Sequence, residues 1–357
     1  RLRLLLPTLR AAQRTRADRL VSRSELVARL APELAAAVRI APARPAAGRP
    51  SPAVPPGEQA PPGDLAQPGE QAPSPGGRRV PGGRGRRPAR RRVPRLPELV
   101  PARGEKRATV GMLTGCVQRV IFPEVNTATA RVLAMEGCDV IAPRGQGCCG
   151  ALSLHGGRRA EAQAFARRTI ETFERAGVSA IVVNAAGCGS AMKEYELLLA
   201  DDPEWAGRAE ALSDMVRDVS EFLAALGPAA HRHPLPLSVV YQDACHLGHA
   251  QRITRQPREL LAAIPELRLA EVGDGGTCCG SAGIYNLVQP QAAAQLGERK
   301  ARAVHAAGGD LLVSANPGCA MQIAAALSDQ GTPMPVAHTV QVLDASLRGL
   351  PASTLLT

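Results

Sequence analysis

The residues of this chain best suited to chemistry are eight cysteines arranged as two sets of four. Each set contains an adjacent pair followed by glycine, with one cysteine 31 or 32 intervening residues before the pair and one 38 or 39 after it. Adjacent cysteines are uncommon, so their return in the same frame about 130 residues later indicates an internal duplication. The first set is Cys116, Cys148, Cys149 and Cys188, and the second set is Cys245, Cys278, Cys279 and Cys319.

Four thiols that converge can bind Zn²⁺ or an iron–sulfur cluster, since both take soft sulfur ligands. Structural zinc sites usually contain two close pairs with two to four residues between the partners, and that spacing is missing here. Adjacent thiols are strained as ligands of a single ion but can reach two irons of one cluster. We therefore favour an iron–sulfur cluster in each half, with zinc as the alternative. Thiol–disulfide exchange at the pairs is a further alternative, because neighbouring cysteines can form a strained, easily reduced bond.

Residues of two kinds beside the cysteines are predicted to support a metal centre without binding it. Gly150 and Gly280 suit loops in which the backbone takes positive φ or approaches a cluster closely. Amide N–H groups of such loops can donate to the cluster sulfurs and tune its potential. Lys193 follows Cys188 by about one helical turn, where its positive charge would offset the negative charge of a thiolate cluster.

Histidines also lie near the cysteines in the sequence. His246 and His249 follow Cys245, and His155 follows the first pair. We predict that each is a hydrogen-bond partner around the centre or a satisfied loop residue, rather than a metal ligand. No residue is assigned a catalytic role, because the chain contains no Walker loop or Ser-centred elbow.

The cysteines fall at matching points of a repeated strand–helix pattern. Strands are predicted at 109–113, 139–142 and 180–183 in the first copy, and at 237–241, 267–272 and 310–314 in the second. Long helices are predicted at 124–136, 158–176 and 290–307. Strands that alternate with such helices indicate parallel βαβ units, whose loops after the carboxyl ends of the strands lie at one edge of the sheet. Every cysteine of the two sets is predicted in such a loop, whereas Cys138 begins a strand and is interpreted as a small buried hydrophobe.

The predicted fold is therefore α/β, with two duplicated Rossmann-like parallel βαβ cysteine-rich domains after a disordered Pro/Gly/Arg-rich N-terminal segment. The disorder is expected because the segment cannot bury enough apolar surface to offset the entropy of ordering. The predicted divisions are linker helices at 1–39, a basic linker at 40–106, the first cysteine-rich domain at 107–230 and the second at 235–350.

The net charge of +11 is concentrated at the beginning of the chain. Residues 1–107 contain 23 Lys and Arg against 8 Asp and Glu, whereas the remainder contains 20 against 24. The arginine cluster at 84–92 has no aromatic residue interleaved to stack on bases, so we expect a solvated linker and no nucleic-acid partner.

The sequence also bears on the compartment. The Leu-rich start is too short and too rich in arginine for a signal peptide, and no apolar run reaches the about 18 residues that a membrane span needs. A body of about 250 residues buries a core without disulfides, which favours reduced cysteines that bind a metal or react. We therefore expect a cytoplasmic protein.

The body resembles the C-terminal part of the glycolate oxidase iron–sulfur subunit, within a wider cysteine-rich family to which the heterodisulfide reductases also contribute a subunit. The likeness extends over about residues 107–347. The matching stretches are GCVQ at 115–118, GQGCCGAL at 145–152, NAAGCG at 184–189, DACHL at 243–247, CCGSAGIYN at 278–286 and NPGC at 316–319.

This resemblance implies an electron-transfer subunit of an FAD-dependent glycolate dehydrogenase. Flavin subunits in the same hetero-oligomer would oxidise glycolate to glyoxylate, and this chain would carry electrons through [4Fe–4S]-type clusters to an acceptor such as quinone. The resemblance is compatible with peripheral association at the inner face of the cell membrane. Lactate is the rival substrate. The cysteine pattern is also compatible with a structural or assembly module that holds zinc or free thiols, and with a thiol redox subunit like that of heterodisulfide reductase.

The chain departs from the family pattern in two ways. The ferredoxin-like domain with two Cys-x-x-Cys-x-x-Cys-x-x-x-Cys-Pro runs does not occur in it, and the chain begins with Arg rather than Met, which is compatible with a fragment or a misassigned start. In heterodisulfide reductase the last cysteine of each set belongs to a Cys-x-x-Cys pair, and Ala185 and Asn316 take the first place of that pair here. Four ligands in each half are therefore proposed, rather than five.

Overall fold

The computed structural model describes residues 96–273 and 276–356. The linker helices predicted at 1–39 and most of the linker predicted at 40–106 lie outside these residues. The described end of that linker is ordered, because Leu99–Val100 forms a strand antiparallel to a body strand and Ala102 N–H donates to Asp139 Oδ1 at 2.8 Å. Residues 99–102, which were predicted to lie in the linker, therefore contact the body.

The first half of the body contains five strands in the described chain. It runs β1 (Leu99–Val100), β2 (Ala108–Leu113), α1 (Val117–Ile121), α2 (Pro123–Met135), β3 (Cys138–Ile141), α3 (Ala151–His155), α4 (Arg159–Glu174), β4 (Ala180–Val183), α5 (Ala186–Lys193), α6 (Tyr195–Leu198), α7 (Ala206–Met215), β5 (Val216–Asp218) and α8 (Val219–Leu226).

The second half repeats this order with four strands in the described chain. It runs β6 (Leu237–Gln242), a π-helical turn (His246–Ala250), α9 (Arg255–Ala262), β7 (Leu267–Glu271), α10 (Tyr285–Val288), α11 (Pro290–Ala307), β8 (Leu311–Ser314), α12 (Pro317–Asp329), β9 (Val336–Ala337), α13 (Thr339–Leu347) and a 3₁₀ turn (Ala352–Thr354).

The strand order places the cysteine-bearing loops side by side. The first sheet has the order β1-β3-β2-β4-β5 and the second has β7-β6-β8-β9, and every pairing except that of β1 with β3 is parallel. Strands β2 and β6 therefore each lie between the next two strands of their half. Because all three end at the same edge of the sheet, the loops that follow them meet there. The predicted α/β fold with parallel βαβ units is confirmed.

Buried helices join the two halves. The largest cluster of buried apolar side chains contains strand residues of both sheets, such as Val110 and Val182 with Val239 and Leu311. Helix α2 packs on α13, and α8 packs on α9. Arg131 on α2 forms an ion pair with a buried carboxylate on α13, so polar contacts also cross this boundary. The halves share this cluster, and the boundaries 107–230 and 235–350 stay a prediction.

Two local predictions differ from the structure. Residues 216–218 form the short strand β5 between α7 and α8, which is absent from the strands predicted for the first copy. Cys188 and Cys319 were predicted in loops but lie in the first turns of α5 and α12. The residue before each helix, Ala185 or Asn316, is still extended, so each helix begins almost directly after its strand.

Cys138 agrees with its prediction. It is the first residue of β3, at the end of the strand opposite the cysteine loops, and its side chain is fully buried in the shared core. Burial, before any neighbouring charge, raises the pKa of its thiol to about 11. Cys138 therefore stays protonated at neutral pH and acts as a small apolar side chain.

Candidate metal centres

The four cysteines of the first set lie together in a row at the edge of the first sheet. Cys116 and Cys148 approach to 3.6 Å between their sulfurs. Cys148 contacts Cys149 and Cys149 contacts Cys188, so each thiol touches the next one along the row. Cys149 is only 2% exposed, and all four are free thiols.

The second set forms the same row at the edge of the second sheet. Cys245 contacts Cys278, Cys278 contacts Cys279, and Cys279 contacts Cys319. Cys279 is 2% exposed and Cys319 is 3% exposed, so half of the row is shielded from water. The structure therefore brings together each of the two cysteine sets that the sequence singled out.

Helix beginnings position the outer cysteines of both rows. Cys116 immediately precedes α1, and Cys245 immediately precedes the π-helical turn. Cys188 and Cys319 are the third residues of α5 and α12. The beginning of a helix carries a partial positive charge and free N–H groups, which stabilise a nearby thiolate.

Glycine follows each adjacent pair because the backbone takes a conformation that other residues avoid. Gly150 has φ +89° and Gly280 has φ +88°, both in the left-handed region. The N–H of Gly150 donates to Cys148 Sγ at 3.3 Å, and the N–H of Gly280 donates to Cys278 Sγ at 3.4 Å. These glycines therefore orient one sulfur of each pair, although their predicted role at a metal centre stays a prediction.

The pKa values of the thiols in the first row bear on whether four thiolates can lie together there. The contact with Cys148 and then burial raise the pKa of Cys116 far above the ordinary value for a thiol. In Cys149, the lowering effect of Cys148 is outweighed by Cys188 and by burial, and its pKa is also raised. These raised pKa values disfavour four thiolates together in this row, and a bound cationic metal centre would supply the charge that stabilises them.

A buried lysine makes the second row electrostatically different. Lys300 on α11 is 1% exposed, and its positive charge contributes to lowering the pKa values of Cys278 and Cys319. The larger causes are the contact with Cys245 for Cys278 and the contact with Cys279 for Cys319. Lys300 was not among the residues predicted from the sequence, although the helical spacing of the buried positions Ala293, Gly297, Lys300 and Val304 places a lysine on the apolar face of α11.

The arrangement of the thiols bears on which metal group fits. No group of three or more His, Cys, Asp or Glu side chains between residues 96 and 356, apart from the two undescribed positions 274 and 275, is arranged to hold a single metal ion. Each row joins four soft sulfur donors through successive contacts. A row of four soft donors matches a group with several irons, each bound by a different sulfur.

The remaining predicted supporting residues lie in different surroundings. The Nδ1 atom of His246 is 3.5 Å from the sulfur of Cys245, at the second row. His249 Nε2 is 3.2 Å from the carbonyl oxygen of Gly276, in the loop that leads to the second pair. Lys193 forms an ion pair with Glu221, at 2.7 Å between Nζ and Oε2, so a carboxylate already balances its charge. The predicted roles of all three at a metal centre stay predictions.

Contacts between the halves adjoin both rows. The N–H of Ala186 donates to the carbonyl oxygen of Ala315 at 3.1 Å, which links the segments that carry Cys188 and Cys319. The ring of His155 from the first half packs edge-on against the ring of His246, with 5.2 Å between centroids. The two rows therefore face a common boundary.

Comparison with known proteins identifies the family. The profile of the cysteine-rich domain named CCG matches residues 110–193 and 239–324, one match in each half. The "Lactate utilization protein A" of Shouchella clausii is 32% identical over 241 residues, which cover 66% of this chain and 98% of that protein. The chain belongs to the CCG cysteine-rich domain family. The resemblance inferred from the cysteine motifs is confirmed.

Two further relatives of this chain have names that refer to glycolate. The "Probable glycolate oxidase iron-sulfur subunit" of Bacillus subtilis is 37% identical over 239 residues, covering 66% of this chain and 53% of that protein. The "Glycolate oxidase iron-sulfur subunit" of Escherichia coli is 34% identical over 252 residues, covering 69% of this chain and 60% of that protein. The chain thus matches only about half the length of the Bacillus subtilis relative. Within the described part of the chain, no helix has the length and apolar character needed to cross a membrane.

Proposed function

We propose that this chain is an iron–sulfur electron-transfer subunit of an FAD-dependent dehydrogenase that oxidises glycolate. The observation that carries the proposal is the pair of thiol rows at adjoining sheet edges. The family match and the names of two relatives support the same proposal.

The eight cysteines of the two rows would hold the clusters, one cluster in each half. A bound iron–sulfur cluster supplies a group that accepts and releases single electrons. The [4Fe–4S] type is proposed because four thiols in each row match its four irons. The protein's own contribution is to hold the sulfurs in place through the N–H groups of Gly150 and Gly280 and to exclude water around Cys149 and Cys279.

Substrate oxidation is proposed to take place on partner subunits that bind FAD. The described residues offer two thiol rows suited to passing electrons rather than a group suited to removing hydride from a 2-hydroxy acid. The electrons would then pass to a quinone-type acceptor. The proposed location is the cytoplasm, with peripheral association at the inner face of the membrane.

Lactate is the second candidate substrate. It is favoured by the Shouchella clausii relative, because this chain covers nearly all of that protein. The proposed role of this chain in electron transfer is the same for either acid, since the substrate would bind to a partner protein that carries the flavin.

The test is the content of iron, acid-labile sulfide and zinc in the full chain purified without oxygen, with EPR spectra before and after dithionite. We expect iron and sulfide in nearly equal amounts and an EPR signal that Cys149→Ser abolishes for one centre. Cys138→Ala is the matched control, because it alters a buried thiol outside both rows. Zinc without a redox signal, or no metal in a folded chain, would overturn the proposal in favour of a structural module. Turnover of a disulfide that depends on Cys148 or Cys278 while metal content is unchanged would instead favour thiol–disulfide chemistry.

A further inference from the structure

Helices α4 and α11 occupy the same place in the two halves, which allows their residues to be compared. A side chain at Gly150 would meet Ala162 and Phe165 on α4, and one at Gly280 would meet Ala293 and Leu296 on α11. The two pairs of helix residues are both 131 positions apart. On this alignment, Lys300 corresponds to Thr169.

Lys300 and Thr169 are both buried, but only one of them carries charge. Thr169 is 6% exposed, and its hydroxyl donates to the carbonyl oxygen of Phe165 at 2.9 Å within its own helix. Lys300 is 1% exposed and lies one turn after Gly297. A Cβ added to Gly297 would lie 3.7 Å from the carbonyl oxygen of Cys279, so this face of α11 covers the second thiol row.

The residues that precede the last cysteines also differ between the halves. Asn316 donates through Nδ2 to Cys319 Sγ at 3.4 Å, and its Oδ1 accepts from the N–H of Gly187 in the first half at 3.3 Å. The corresponding residue in the first half is Ala185, which has no amide to donate. The second row therefore receives a hydrogen bond from a side chain and a nearby ammonium charge.

We propose that the two thiol rows are unequal and that the centre in the second row takes up an electron more readily, because Lys300 and Asn316 stabilise its reduced form. This inference rests on the proposed function, since it assigns a direction to the electron transfer. Reduction adds negative charge to the sulfurs of a cluster. A buried positive charge and an N–H donor stabilise that added charge, and the low dielectric of the interior strengthens both effects. The first row has a buried threonine and an alanine at these places. Electrons that enter at the centre of the first row would therefore transfer to the centre of the second row.

Lys300 and Asn316 are positioning residues in this proposal, and the test is a redox titration of the full chain followed by EPR. Lys300→Met keeps an unbranched side chain, one atom shorter, and removes its charge. We expect the equilibrium constant of one of the two reduction steps to fall at least tenfold. For a one-electron step, a tenfold fall lowers the reduction potential by about 59 mV. Asn316→Ala should shift the same step in the same direction by less. Cys278→Ser should abolish the step that shifts, which assigns it to the second row.

The matched control is Arg299→Gln, which removes one positive charge from the exposed face of the same helix. It should move neither step, because solvent screens its charge. If the wild-type chain holds iron and Lys300→Met leaves both steps in place, the inequality of the rows is wrong while the proposed function stands. If the wild-type chain holds no iron, the proposed function fails first and this inference falls with it.

A second measurement separates a redox role from a purely structural one. Denaturant midpoints are compared for the metal-loaded and the metal-free chain, each with and without Lys300→Met. A lysine that only supports packing gives the same loss in both forms. The proposed role gives a greater loss in the loaded form, because the ammonium charge balances the bound anionic centre, and equal losses would contradict it.

Discussion

Asp218 and His338 occupy equivalent positions in the two halves of the body. Asp218 is the last residue of β5 and His338 directly follows β9, and each immediately precedes a helix, α8 or α13. Each accepts a hydrogen bond from the backbone N–H two residues later, Ser220 to Asp218 Oδ1 at 2.7 Å and Val340 to His338 Nδ1 at 3.1 Å. Both side chains are nearly inaccessible to solvent, at 1% and 4% exposure. One half thus caps its helix with a buried acid, and the other caps its helix with a buried base.

Asp218 and His338 contribute opposite pH dependences to the stability of the folded chain. Burial raises the pKa of Asp218 to about 6, and burial lowers the pKa of His338 to about 4. As pH falls from about 6 towards 4, the folded state binds a proton at Asp218 more readily than the unfolded state, which increases stability. As pH falls from about 6.5 towards 4, the unfolded state binds a proton at His338 more readily, which decreases stability. The two contributions largely offset each other in the wild-type chain.

The Asp218→Asn variant should reveal the contribution of His338 to the pH dependence of stability. Asparagine caps a helix about as well as aspartate, so the variant removes the titration and keeps the cap. Its stability relative to the wild type should fall by about 3 kcal/mol between pH 7 and pH 4, measured by urea unfolding at several pH values. A difference between variant and wild type that does not change with pH would contradict the buried acid.

Alanine at Gly280 should damage the second centre more than alanine at a glycine whose added Cβ would contact no other atom. An added Cβ would clash with the carbonyl oxygen of Ala293, and the positive φ adds about 1–2 kcal/mol of backbone strain. We expect Gly280→Ala to lose several kcal/mol of stability and most of the iron of that half. Gly150→Ala should show the same effects more mildly, since its Cβ would lie 3.0 Å from the carbonyl oxygen of Ala162.

Gly145→Ala is the control for these two variants. Gly145 has a similar φ of +86° but no atom within 4 Å of an added Cβ. Its substitution should therefore cost only the backbone strain and leave the iron content unchanged. Equal iron loss in all three variants would show that the positive φ, rather than the close approach of the helix, is what matters.

Glu136 should be among the most sensitive positions between the two sheets. Its carboxylate is 1% exposed, forms an ion pair with Arg232 at 2.9 Å, and accepts from the N–H groups of Ala229 and Ala230. Glu136→Ala would leave all three donors without this partner, and we expect a loss of about 3–5 kcal/mol in chemical unfolding. The exposed pair of Glu98 and Arg144 provides the comparison, and Glu98→Ala should cost at most about 1 kcal/mol. Similar losses in the two variants would contradict the structural role assigned to Glu136.

Two buried tyrosines should respond oppositely to loss of the hydroxyl group. Tyr195 donates to the carbonyl oxygen of Cys149 at 2.6 Å, so Tyr195→Phe should cost about 1–3 kcal/mol and loosen the first centre. The hydroxyl of Tyr241 is buried without a hydrogen-bond partner among the described residues. Tyr241→Phe should therefore be neutral or stabilising, as thermal or urea unfolding would show. A loss of stability in Tyr241→Phe as great as that in Tyr195→Phe would contradict this contrast.

The parts of the fold that depend on short-range patterns were predictable. Ala180–Val183 is a continuous apolar run typical of a strand buried on both faces, and it forms β4 at those bounds. The helix predicted at 290–307 has a proline at its first position and is observed at the same residues. Because parallel strands align their ends, the gathering of each cysteine set also followed from the order of the elements.

The parts that depend on contacts between distant residues were not predictable in the same way. Strand β5 exists because Ile181 and its neighbours on β4 pair with Val216–Asp218, and nothing within those three residues shows that pairing. The hydrogen bond between Asn316 and Gly187 joins residues 129 positions apart. The resemblance to heterodisulfide reductase indicated that Asn316 stands where that family has a cysteine, and only the fold shows that its amide contacts both halves.

The shared core between the two sheets has made the duplicated halves dependent on each other. A half released by cutting the chain between β5 and β6 would present to water the apolar side chains that now fill the space against the other half. Such a fragment would be a target for aggregation and proteolysis rather than a smaller working module. Loss of either half by recombination would therefore expose the apolar surface of the other, so the two thiol rows depend on each other for a stable fold.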